Sequence, residues 1–154
     1  MNEFMSVAIN EAQNGMYKNE GGPFGAVIVK DGKIISVAHN EVLSSNDPTA
    51  HAEIIAIRKA SKKLNNFDLS DCEIYSTAEP CPMCLAAIHW ARLKKLYFGT
   101  NQKDATRIGF DDEKFYEIIK DKQKSSLIIT KDVERDKCLS LFDYWQNKED
   151  KTNY

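Results

Sequence analysis

The chain has 154 residues, with 21 Lys+Arg against 23 Asp+Glu and a formal net charge of −2. A chain of that size buries roughly 70% of the surface it exposes when unfolded, enough for one domain without staples. The 42% hydrophobic and 29% charged fractions exclude the disordered, collagen-like and coiled-coil classes. No apolar run approaches the ~18 residues of a membrane span, and near-balanced charge argues against a protein devoted to nucleic acid. The start, Met1-Asn2-Glu3-Phe4, has neither a basic segment nor a long apolar one, so no signal peptide is read and the cytoplasm is expected.

Taken in chain order, Phe4, Met5, Ala8, Ile9, Ala12 and Met16 recur at helical spacing and predict a helix over 3–17. Gly21-Gly22-Pro23 breaks it. Phe24 to Val29 and Ile34 to Val37 flank Asp31-Gly32, a strong hairpin signal. Asn40 to Pro48 is polar and predicts a loop, with Thr49 as the N-cap of a helix over Ala50 to Lys63. Cys72 to Thr77 predicts a strand. Pro82 suits a first helical turn, and Met83 to Arg92 continues at helical period. Lys95 to Gly99 predicts a strand, Asn101 to Gly109 a loop, and Asp112 to Lys120 a helix. Leu127 to Thr130 predicts a fifth strand. Val133 to Trp145 predicts a last helix, with Cys138, Leu139, Leu141, Phe142 and Trp145 on its apolar side. A hairpin followed by helix–strand alternation implies one domain over 1–154, a three-layer α/β/α sandwich around a five-stranded mixed sheet.

Charge is uneven along the chain. Residues 58–110 carry nine basic and five acidic side chains, whereas residues 1–57 carry three and seven. Such a middle segment offers a basic patch, although most charge of this kind is a solvated face.

Four cysteines occupy positions 72, 81, 84 and 138. In a chain expected to stay in a reducing compartment, Cys81-x-x-Cys84 points to metal binding or redox chemistry rather than a disulfide framework. Zinc prefers imidazole and thiolate ligands. Both sulfurs lie at a helix start, whose positive end favours thiolates. His51 lies at the start of the preceding helix, so side-by-side helices would give one metal three ligands. Cys72 and Cys138 are more simply core thiols, and His39 and His89 ordinary packing or surface residues. Three ligands leave a position for water, and Glu53, two residues past His51, suits a proton shuttle over that position.

The joint pattern His51-x-Glu53…Pro80-Cys81-x-x-Cys84 is the signature of the zinc-dependent nucleobase deaminases. From Gly21-Gly22-Pro23-Phe24-Gly25-Ala26-Val27 onward the chain resembles that cytidine deaminase-like superfamily over nearly its whole length. The resemblance implies one zinc ion per subunit on His51, Cys81 and Cys84, and Glu53 as the proton shuttle. Asn46-Asp47-Pro48-Thr49-Ala50-His51-Ala52-Glu53 is shared by the tRNA adenosine deaminases and the bacterial guanine deaminases. Ile88-His89-Trp90-Ala91-Arg92, Gly109-Phe110-Asp111-Asp112 and the terminal tyrosine look like the guanine branch. That branch implies hydrolysis of guanine to xanthine and ammonia. It also implies a homodimer whose C-terminal segment, about 133–154, crosses to the partner subunit, where Tyr154 closes the pocket.

Guanine's Watson–Crick edge presents two adjacent donors, which a carboxylate accepts in parallel, whereas adenine presents an acceptor there. Asp112 matches the family's base-reading aspartate, with Asp111 the competitor. Asn40 matches a residue that reads another ring edge, and Phe24 and Trp90 suit a flat purine. Helix capping by either aspartate, and plain core packing by either aromatic, are the ordinary alternatives. Three rival functions stand beside this one. They are tRNA adenosine deamination, deamination of another base or nucleoside, and a non-catalytic zinc module with Cys72 as fourth ligand. No membrane partner is expected, and a nucleic-acid partner is disfavoured.

Overall fold

The computed structural model describes residues 2–121 and 124–152. Its framework grows from the hairpin. Strands β1 (Gly25–Lys30) and β2 (Lys33–His39) pair antiparallel around Asp31 and Gly32, whose φ values of 49° and 72° make the left-handed turn that Asp-Gly favours. A register shift opposite Ile28 and Val29 inserts one extra residue in β2. Strand β3 (Cys72–Ala78) pairs antiparallel with β1, and β4 (Lys95–Thr100) parallel with β3, giving a mixed sheet of order β2-β1-β3-β4.

Helix α1 (Glu3–Tyr17) starts at Asn2, whose side chain accepts from the backbone N–H of Phe4 and Met5. Its Ala8 packs with Phe4 and Met5 on Val27, Val29 and Tyr75, one face of the sheet. A Cβ at Gly25 would lie 2.1 Å from the carbonyl oxygen of Ala8, so only glycine lets α1 cross β1 this closely. The opposite face, with Ala26, Ile28, Ala38 and Ile74, is covered by α3 (Ala52–Leu64) and α4 (Pro82–Trp90) through Ala52, Ile55, Ala56 and Ile88. Small alanines at these contacts bring the helices close to the sheet. Three layers result, as the alternation of elements implies.

Two stretches expected as loops contain helices, α2 (Val42–Ser45) and α5 (Gln102–Arg107). The second is fixed by a capping box between Asn101 and Asp104. Thr49 does not cap α3. Its N–H and hydroxyl both donate to Asp47 Oδ1, at 2.8 and 2.7 Å, and His51 takes the N-cap position. Helices α6 (Asp112–Lys120) and α7 (Arg135–Asn147) follow.

The expected fifth strand is corrected. Among the described residues the sheet has four strands, and Leu127–Thr130 joins no ladder. A strand exists only against a partner, and within one chain β4 and this segment are not brought together. Helix α7 also leaves Leu141, Phe142 and Tyr144 exposed. Cys72 is a buried thiol as expected, but Cys138 is exposed rather than part of the core.

The two edges of the sheet are treated differently. Along β2, Lys63 Nζ donates to the carbonyl of Ile35 at 3.0 Å and Lys59 Nζ to that of Val37 at 3.3 Å. Lysines from α3 thus occupy acceptors that another strand would need. The β4 edge is mostly exposed. Among the described residues no helix is long and apolar enough to cross a membrane.

Candidate active site

Two helix N-termini meet at one point. His51 is the N-cap of α3 and Cys81 the N-cap of α4, with Pro82 at the first helical position and Cys84 within the first turn. Side-by-side packing of α3 and α4 brings His51 Nδ1 to 3.6 Å from Cys81 Sγ and 3.5 Å from Cys84 Sγ. Zinc with bonds of about 2.1 Å to nitrogen and 2.3 Å to sulfur at the tetrahedral angle separates such atoms by about 3.6 Å. The three donors therefore fit one zinc ion. They form the group of metal-capable side chains found among the described residues. Cys72 is not in that group. It opens β3 and donates to Asp71 Oδ1 at 3.3 Å, so it completes no closed four-ligand site.

The three donors share protons that a divalent cation displaces. The hydrogen bond from Cys84, and then that from His51, pulls the Cys81 thiol down to about 4, against the cost of burial. The same bond to Cys81, together with burial, pushes the Cys84 thiol up. The bond to Cys81 also raises His51.

Glu53 lies in the first turn of α3 and is only 6% exposed. Ser76 Oγ on β3 donates to its Oε1 at 3.2 Å. Burial is the main cause that lifts its carboxyl above the ordinary range, so it takes up a proton more readily than a surface glutamate.

A cavity of about 440 Å³ opens over this group, within the range of small-molecule sites. Phe24, Asn40, His51, Glu53, Cys81 and Asp112 all line it. Asp112 is the first residue of α6. Burial, and then the charge of Cys81, raises its carboxyl. Asp111 is the N-cap of α6, makes no capping bond through its side chain and does not line the cavity. Asn40 Oδ1 accepts from Val42 N–H at 3.1 Å and Gly22 N–H at 3.4 Å. The Gly21-Gly22 break is a close approach as well as a turn: a Cβ at Gly21 would lie 2.2 Å from both Asn40 O and Asn40 Oδ1.

Phe110 and Glu79 are among the lining residues that escaped the reading of the sequence. Phe110 meets Phe24 edge-on, centroids 4.7 Å apart at 80°, and closes the wall beside Asp112. Its signal was an aromatic residue placed between Gly109 and the Asp pair. Glu79 lines the cavity beside Pro80, and its carboxylate accepts from Gln102 N–H at 2.9 Å. Trp90 is placed elsewhere. It ends α4, nine residues after Cys81, a distance of about 13 Å along the axis. It is 65% exposed and lines a separate hollow with Trp145. Tyr154 lies outside the described residues.

An imidazole and two thiolates around one point, with a buried carboxylate beside them and a cavity above, define a zinc-dependent deaminase site on an α/β/α scaffold. The chain belongs to the cytidine and deoxycytidylate deaminase zinc-binding family, whose model matches residues 1–100. It is 46% identical over 151 residues to the guanine deaminase of Bacillus subtilis, covering 98% of this chain and 97% of that one. The X-ray structure of guanine deaminase from Bacillus subtilis superposes with a TM-score of 0.92, covering 100% of this chain and 99% of that one. The chain is also 48% identical to a tRNA-specific adenosine deaminase of Aquifex aeolicus, but over 100 residues, 65% of this chain and 66% of that one.

Proposed function

We propose that this protein hydrolyses guanine to xanthine and ammonia, with zinc held by His51, Cys81 and Cys84. The observation that carries the choice of base is Asp112, a carboxylate lining the same cavity as His51 and Glu53. Such a group accepts from N1–H and the 2-amino group of guanine and meets an acceptor on adenine. Near full-length identity of 46% to a guanine deaminase, against 38% over a similar span to the tRNA-specific adenosine deaminase of Buchnera aphidicola, supports the same reading.

Water adds across the C2–N3 bond and the C2–amine bond then breaks, so guanine and water leave as xanthine and ammonia. Bound zinc supplies the nucleophilic oxygen by acidifying a water at neutral pH. Glu53 accepts one proton of that water and delivers it to N3, then takes the proton of the new C2 hydroxyl and passes it to the departing amine as the C2–N bond breaks. Ser76 keeps the Glu53 carboxylate oriented. Asp112 holds the Watson–Crick edge, Asn40 the opposite ring edge, and Phe24 with Phe110 the flat faces.

The working unit in this reading is a homodimer in which the last segment crosses to the partner. One chain leaves Leu127, Ile128, Leu141 and Phe142 exposed, Ile128 at 92%. It also leaves β4 as an open edge, beside an apolar hollow lined by Met5, Ile9, Met16 and Ile108. An apolar strand and helix without a seat, and a seat without an occupant, complement each other between two copies. Tyr154 then belongs to the partner's pocket, and the base is reached by a small molecule rather than a tRNA. Four free thiols fit a cytoplasmic protein.

The test is ammonia release by the zinc-loaded protein from guanine, guanosine, adenine, cytosine and tRNA. Turnover of guanine at least a hundredfold faster than of the others is expected. Faster release from tRNA, with salt-sensitive binding, overturns the reading. A monomer in sedimentation overturns the exchange of tails.

A further inference from the structure

His39 does not line the cavity and touches no metal ligand, yet its surroundings are built around it. It ends β2 and is 8% exposed. Its Nδ1 lies 2.8 Å from Glu11 Oε1 on α1, and its Nε2 lies 2.6 Å from Glu20 Oε2 on the following loop. A Cβ at Gly15 would lie 2.3 Å from the ring, so α1 packs directly on the imidazole. Carboxylates only accept, and a ring with N–H on both nitrogens satisfies both at once.

Each end of this bridge leads somewhere different. Glu11 ties the ring to α1, far from the chemistry. Glu20 begins the pocket wall. Its backbone carbonyl accepts from Leu43 and Ser44 N–H, at 3.0 and 3.1 Å, while its side chain holds His39. The neighbour of His39 is Asn40, whose N–H donates to the Phe24 carbonyl at 3.0 Å and whose Oδ1 accepts from Gly22 and Val42. Gly22, Phe24, Asn40, Val42 and Leu43, all lining the cavity, therefore hang on one joint between residues 20 and 39. With Asn40 Oδ1 used by backbone donors, its Nδ2 is left to donate to an acceptor on the bound base.

We infer that the His39–Glu20 pair is a positioning element that fixes the orientation of the Asn40 amide and the Gly21–Phe24 wall, whereas Glu11 ties the other side of the ring to α1 and contributes stability only. The inference rests on the reading that Asn40 contacts the base. It concerns substrate binding rather than the chemical step, because neither residue reaches Glu53 or the zinc ligands.

Three variants of the zinc-loaded full chain test it: Glu20→Ala, Glu20→Gln and Glu11→Ala. Both carboxylates are partly exposed, 32% for Glu20 and 27% for Glu11, and in each variant the buried ring keeps one of its two partners. Glu20→Ala is expected to raise KM for guanine about tenfold while kcat stays within about twofold. Glu20→Gln keeps an acceptor for Nε2 and is expected to restore KM to within about twofold. Glu11→Ala is expected to lower thermal stability and leave KM unchanged. Amide hydrogen exchange gives a reading without substrate: Gly22 and Val42 N–H exchange faster in Glu20→Ala and not in Glu11→Ala. If the unaltered protein does not deaminate guanine, the proposed function fails while exchange still tests the joint. An unchanged KM and exchange in Glu20→Ala overturns the inference. So does an equal KM rise in Glu11→Ala, or a failure of Glu20→Gln to restore KM.

Discussion

Replacing Glu53 by glutamine is expected to remove the proposed proton carrier and little else. The amide has the same shape, and its oxygen accepts the Ser76 hydroxyl that Glu53 Oε1 accepts at 3.2 Å. Glu53 is buried, and burial raises its carboxyl, so the change removes no stabilising surface charge. Each proton transfer by a placed carboxylate is worth about 10²–10⁴-fold. In the proposed reaction Glu53 serves both N3 and the leaving amine, so the expected loss in kcat is about ten-thousandfold, about 5 kcal/mol of transition-state stabilisation. Zinc content, measured by colorimetric titration after unfolding, is expected to stay at about one per chain with Tm within about 2 °C. Activity within tenfold of the unaltered protein, with zinc present, refutes the assignment of the shuttle. Loss of zinc with the activity would instead make Glu53 a support of the metal site.

Asp112→Ala is expected to raise KM for guanine about 10–100-fold, the worth of a charge-assisted hydrogen-bonded pair, whereas Asp111→Ala, outside the cavity, changes it less than about twofold; equal effects refute the distinction. Ile28→Ala opens a void beneath α3 and α4 at a fully buried position. It is expected to cost about 2–5 kcal/mol, a drop in Tm of roughly 5–15 °C by thermal melt. Thiol labelling of the zinc-loaded native protein is expected to leave Cys72, Cys81 and Cys84 unmodified. Cys72, whose thiol burial raises to about 11, reacts only on unfolding, and Cys81 with Cys84 only after chelation; labelling of Cys81 or Cys84 with zinc in place refutes the ligand set.

The metal group was legible because its residues open helices, and Pro82, Cys81-x-x-Cys84 and His51-x-Glu53 mark those openings locally. The hairpin was legible for the same reason, since Asp31-Gly32 dictates its own turn. Helix α5 escaped notice although Asn101 and Asp104 carry a capping box, because a six-residue helix shows too little periodicity to stand out from a polar loop. The pocket wall was legible only in part. Gly21 and Gly22 announce a break, but the close approach of Asn40 behind them depends on β2 and the loop lying side by side. His39 gave no sequence signal, since Glu11 and Glu20 lie 28 and 19 residues away. Leu127–Thr130 has the composition of a strand, yet a strand is a relation between two segments, and one chain does not supply the second.

The lysines of α3 give the sheet a direction of growth. With the β2 carbonyls of Ile35 and Val37 occupied, strands can be added only beyond β4. A molecule with two receptive edges propagates into a fibre, whereas one with a single receptive edge is a chain terminator. In the proposed dimer, two copies that fill each other's open edge would close at two. Converting Lys59 and Lys63 to short neutral residues is expected to give that proposed pair a second receptive edge, read out as increased aggregation on refolding.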